Sequence, residues 1–112
     1  MIEPLLRQRL VERLRVGRKI VLVYGARQVG KTTLVRQVLS ELPYKTLSIN
    51  ADETRFIDIL FSRHLRQLCG LIEGYEAVFI DEAQRIPDIG INLKLLIDNV
   101  PDLRIVVTGH HL

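Results

Sequence analysis

An α/β fold on a mostly parallel sheet is what this 112-residue chain predicts, and three observations carry the prediction. Four short apolar runs, rich in β-branched residues, lie at positions 20–24, 45–50, 77–80 and 103–108. Segments with helical spacing separate them, and the turn formers fall between the runs rather than inside them. Alternation of this kind lays helices on both faces of a parallel sheet and leaves ligand sites at the carboxyl ends of the strands.

The first element is helical. Leu5, Leu6, Leu10, Val11 and Leu14 recur at roughly helical spacing, and Arg7, Arg9, Arg13, Arg15, Arg18 and Lys19 fill the places between and after them. A solvated face of an amphipathic helix accounts for the basic residues, with a nucleic-acid or acidic-partner contact as the alternative. The first strand follows as Ile20-Val21-Leu22-Val23-Tyr24, then a glycine-rich turn. A helix is expected to begin near Lys31, because Thr33 to Leu39 places its apolar residues on one face, and Pro43 stops it. Lys45 to Asn50 reads as the second strand. Positions 51–68 are largely helical in pattern, with Phe56, Ile59, Leu60 and Leu65 on a shared face, and Gly70 and Gly74 loosen the chain afterwards. Ala77 to Ile80 is the third strand, positions 91–100 a helix ahead of Pro101, and Leu103 to Thr108 the fourth strand.

The turn after the first strand reads Gly25-Ala26-Arg27-Gln28-Val29-Gly30-Lys31-Thr32, a complete GxxxxGK[ST] pattern in its required strand–loop–helix setting. Gly25 and Gly30 let the backbone curl and present its N–H groups to phosphate oxygens. The helix start adds unpaired N–H groups and the positive end of its dipole. Lys31 supplies a mobile cation for β- and γ-phosphates, and the Thr32 hydroxyl an oxygen ligand for Mg²⁺. Thr33 is a candidate for the α-phosphate, or else a capping or packing residue. By chance the pattern arises in a chain this short on the order of a few times in a thousand, so a glycine turn that binds nothing is the weaker reading.

A second constellation agrees. The third strand ends in Asp81-Glu82, about fifty residues after the loop, as intervening βα units require. Asp81 is the expected support for Mg²⁺ or one of its waters. Glu82 is the expected orienting or deprotonating group for an attacking water, which implies hydrolysis rather than phosphate transfer to an acceptor. The bland alternative for two acids after a strand is a helix N-cap.

With 47% hydrophobic and 26% charged residues, the chain is expected to be one soluble domain, residues 1–112, and a net charge of +3 is too small to argue for nucleic acid by itself. Nothing resembles a signal peptide or a membrane span, so a cytoplasmic location is expected. A lone Cys69 fits a reducing compartment and a small apolar packing role. His64 has no neighbours that complete a metal set.

Three segments together carry a family resemblance: Val23 to Thr33 with its Arg-Gln-Val insert, Asp81-Glu82-Ala83-Gln84-Arg85-Ile86-Pro87, and Leu103 to Gly109. The chain resembles the AAA-type ATPase domain of bacterial and archaeal proteins that bear an uncharacterised C-terminal domain, covering the front portion of the usual polypeptide. The resemblance implies a P-loop NTPase fold, a three-layer α-β-α sandwich with the fourth strand between the first and third, here truncated after that strand. It implies ATP as the nucleotide, Mg²⁺ as the metal, and a neighbouring subunit that donates an arginine to the transition state. It also makes Thr108, at the end of the fourth strand, the candidate sensor of the γ-phosphate, although a strand-terminating Thr is common without any function. Where the family continues Thr-Gly-Ser-Ser, this chain has Thr108-Gly109-His110-His111-Leu112 and ends. Without a fifth strand, the first strand is expected at the sheet edge, where it invites self-association.

The function expected is therefore Mg-dependent ATP hydrolysis. The alternatives are an ATP-binding fragment without turnover and, more weakly, a small-molecule kinase. Nucleic acid stays open as a partner that nothing in the sequence indicates, and a membrane partner is not expected.

Overall fold

The computed structural model describes residues 4–16, 20–25, 31–51 and 64–110. The four expected strands are β1 (Ile20–Gly25), β2 (Thr46–Asn50), β3 (Ala77–Asp81) and β4 (Arg104–His110). They pair in parallel in the order β1-β4-β3-β2, which puts β4 between β1 and β3 as the resemblance implied. The described helices are α1 (Pro4–Val16), α2 (Lys31–Glu41), α3 (Leu65–Ile72) and α4 (Ile89–Asn99), with a short 3-10 turn at Ala83–Arg85.

Period-two alternation along the central strands divides the core into two layers. Ala77 and Phe79 of β3, Val106 of β4 and Val21 and Val23 of β1 face α1 and α2, where they meet Leu10, Leu14, Leu34, Val35 and Val38. Val78 and Ile80 of β3 with Ile105 and Val107 of β4 face the other way, onto Leu68 and Ile72 of α3 and Leu93 and Leu96 of α4. Helices on both faces explain why Ala77, Val78, Phe79 and Ile80 form an unbroken apolar run: none of these four positions faces water. β1 differs, since its Leu22 points away from α1 and α2 and stays 64% exposed.

Several boundaries differ from the expectation. Of the helix expected at 51–68, positions 52–63 lie outside the described residues. The described part runs past Gly70 to Ile72, because Leu68 and Ile72, four residues apart, bury one stripe while Gly70 sits on the exposed side, where a glycine costs only about 1 kcal/mol. The stop falls instead at Glu73 and Gly74, whose φ of 86° suits a residue without a Cβ. α4 starts at Ile89, two residues early, and β4 continues through Gly109 to His110 because β1 keeps pairing with it to Gly25.

α1 is tied to the rest at its end. Arg104 Nε–H donates to the Leu14 carbonyl at 2.5 Å and the guanidinium lies 3.8 Å from the Tyr44 ring centroid, so one residue closes the last turn of α1 and braces the approach to β2. Arg7 also pairs with Glu41 of α2, in an exposed contact that contributes little.

Candidate functional site

The carboxyl end of the sheet gathers the predicted side chains, and the strand register explains how. β3 ends at Asp81, and the pairing of Ile80 with Val107 carries Thr108 to the level of Asp81 on the neighbouring strand. The Asp81 carbonyl accepts the Ala51 N–H at 3.0 Å, so the backbone there is held from the β2 side as well. α2 begins at Lys31, which places Lys31 and Thr32 in the first turn, beside N–H groups that have no partner within the helix.

Three hydrogen bonds close the group. Thr32 Oγ1 donates to Asp81 Oδ1 at 3.2 Å, and Thr108 Oγ1 donates to the same oxygen at 2.6 Å. Lys31 Nζ donates to the Gly109 carbonyl at 2.9 Å. Thr108 is 2% exposed, whereas Lys31, Thr32 and Asp81 are half-buried and within reach of a ligand. Thr33 lies on the exposed side of α2. Gly25 ends β1, and Ala26, Arg27, Gln28, Val29 and Gly30 lie outside the described residues.

Glu82 follows directly, in the left-handed region at φ 60° and ψ 40°. A residue with a Cβ held there costs on the order of 1–3 kcal/mol. The turn swings the chain out of β3 into the 3-10 segment, and the Glu82 carboxylate makes no capping hydrogen bond, unlike the N-cap alternative. Its Oε2 instead accepts Gln84 Nε2–H at 2.7 Å and lies 3.8 Å from Arg85 Nε. Sequence reasoning missed Gln84 as a partner of Glu82, although the tight i, i+2 spacing after a strand end was its signal. It also missed the Gly109 carbonyl, which no side-chain motif could reveal.

The other expected candidates fall elsewhere. His64 precedes α3 on the exposed surface and makes no side-chain cap bond, while Cys69 is a free thiol packed partly against the core. Among the described residues there is no group of three or more His, Cys, Asp or Glu that could hold a metal. His111 lies outside the described residues. No described helix is long and apolar enough to cross a membrane.

An AAA domain family matches residues 17–112, the loop, the acidic strand and β4 included. This chain belongs to the AAA domain family. The chain is 41% identical over 93 residues to an uncharacterised protein of Mycobacterium tuberculosis, a match covering 80% of this chain and 19% of the relative. This AAA domain thus spans about a fifth of the length of that curated relative. Among solved structures, a DNA replication initiation factor superposes with a TM-score of 0.69 at 16% identity, over 99% of this chain and 40% of the other. The replication initiator DnaA, bound to AMPPCP and single-stranded DNA, superposes with a TM-score of 0.62 at 15% identity, over 94% and 36% of the two chains. At such identities the likeness concerns the fold, an AAA-type P-loop α/β sandwich.

Proposed function

We propose that this AAA domain binds Mg·ATP at the carboxyl end of its sheet and hydrolyses it. One observation carries the reading: Thr32, which ends the glycine loop motif, hydrogen-bonds to Asp81, which ends the acidic strand, across 49 residues of sequence. A glycine turn and a strand-end acid with unrelated duties have no reason to meet.

In this reading Gly25, Ala26, Arg27, Gln28, Val29 and Gly30 supply the backbone cradle, and the first turn of α2, Lys31 to Thr33, completes it. Lys31 exchanges the neutral Gly109 carbonyl for anionic β- and γ-phosphate oxygens, a change toward the stronger, charge-assisted bond. The Thr32 hydroxyl and the Asp81 carboxylate are hard oxygen donors. They fit Mg²⁺, which takes few protein ligands and keeps waters and phosphate oxygens for the rest. Bound Mg²⁺ would neutralise charge on the β- and γ-phosphates. Glu82 orients a water and takes its proton as the water oxygen bonds to the γ-phosphorus and the bond to the ADP oxygen breaks. The Gln84 N–H holds that carboxylate by one oxygen. The structural neighbour that carries AMPPCP supports a nucleotide as the ligand of this fold.

The family resemblance implies an arginine from a neighbouring subunit at the transition state, so turnover by the isolated chain is expected to be slow. Calorimetric titration with Mg·ATP, with phosphate release followed in the same sample, tests the proposal. Release that disappears in Glu82→Gln supports an ATPase, and binding with no release favours a nucleotide-holding module. A folded chain that binds no ATP overturns the reading.

A further inference from the structure

Two hydroxyls share one carboxylate oxygen at the site, and they are not equivalent. Thr32 lies at 3.2 Å from Asp81 Oδ1, on the first turn of α2 beside the loop. Thr108 lies at 2.6 Å, within the range of a charge-assisted O–H···O bond, and it belongs to β4, a strand paired on both sides and 2% exposed at this residue. The stationary donor is therefore Thr108.

A threonine hydroxyl has a single proton. In this arrangement Thr108 gives it to Asp81, which leaves none to donate to a phosphate oxygen. Sensing the γ-phosphate, the role implied by family resemblance, needs that same proton, so the two duties compete. The register favours the first, since it sets Thr108 level with Asp81 rather than beyond the strand end.

Resting on the nucleotide-site reading above, we propose that Thr108 is a positioning residue: its hydroxyl fixes the Asp81 carboxylate for its part in supporting nucleotide-bound Mg²⁺. Thr108 then contributes only to the metal-linked part of binding. Its effect is the same for ADP as for ATP and vanishes when the metal is withdrawn. A γ-phosphate sensor behaves in the opposite way on both counts.

The experiment is calorimetry of the full chain with ADP and with a non-hydrolysable ATP analogue, each in Mg²⁺ and in EDTA. Thr108→Val, nearly isosteric but without the hydroxyl, is expected to weaken both nucleotides about tenfold in Mg²⁺ and less than about twofold in EDTA. Thr108→Ser is expected to recover affinity to within about threefold of the wild type, because the donor returns. Should the valine variant fail to fold, Thr108→Ala removes the same hydroxyl and is read in the same way. The inference is overturned by a loss confined to the ATP analogue, by a loss of equal size in EDTA, or by no loss at all. A wild-type chain that binds neither nucleotide overturns the site reading itself, and this inference with it.

Discussion

At the amino end of the sheet, Arg104 donates to the carbonyls of Leu14 and Asp102 and lies over Tyr44, while Lys45 lies 5.2 Å from the centre of the Tyr75 ring and offers its backbone N–H to Glu76. At the carboxyl end, Lys31, Thr32 and Thr108 converge on the Gly109 carbonyl and one oxygen of Asp81, with Glu82 held alongside by Gln84. Both ends are rich in polar contacts, yet they join different things. The amino-end contacts bridge successive elements, and their partners are mostly backbone carbonyls and aromatic faces. At the carboxyl end Thr108 is buried and fixed, whereas Lys31, Thr32 and Asp81 are half-buried, and in the proposed reading these three exchange their present partners for a phosphate oxygen or a hydrated cation without opening the core. Polar side chains thus brace the fold at one end and stand ready for exchange at the other.

If that contrast holds, substitutions at the carboxyl end will change chemistry without stability, and those at the amino end the reverse. The largest effect is expected from Glu82→Gln, which keeps the side chain's shape but removes a base: phosphate release should fall about a thousandfold while ATP affinity stays within about threefold. Equal turnover by this variant would move the water-positioning role elsewhere. Next, Lys31→Ala is expected to weaken ATP binding about a hundredfold, since charge-assisted bonds to phosphate are lost, with the urea midpoint almost unchanged. Retained affinity in calorimetry would count against the exchange of Gly109 for phosphate.

Arg104→Ala should show the converse. Loss of the bond to Leu14 and of the guanidinium over Tyr44 is expected to lower unfolding stability by about 2 kcal/mol, and nucleotide affinity of the folded fraction should not move. An affinity change as large as that of Lys31→Ala would erase the distinction between the ends. The smallest effect belongs to Leu22→Thr on the exposed face of β1, expected to alter stability by less than about 0.5 kcal/mol. Sizing at micromolar concentration would show in the same variant whether this apolar edge drives self-association.

The sequence by itself determined the elements and the motif positions. Period-two and period-3.6 patterns are local, so the strands at Ile20–Gly25 and Ala77–Asp81 and the helix from Lys31 could be placed from neighbouring residues alone. The glycine loop and the Asp81-Glu82 pair were legible for the same reason, because their chemistry is written in adjacent residue types. At Gly70, where the sequence suggests that the chain loosens, local propensity is outweighed by the burial of Leu68 and Ile72, which depends on α3 packing against the sheet. Only the tertiary structure decided that Thr108 reaches Asp81, that Lys31 rests on Gly109, and that Glu82 turns back onto Gln84 through a left-handed backbone. The contacts of Thr108 and Lys31 join β4 to distant parts of the chain and follow from strand register, which leaves no mark in the order of residue types; only the short spacing of Glu82 and Gln84 was written locally.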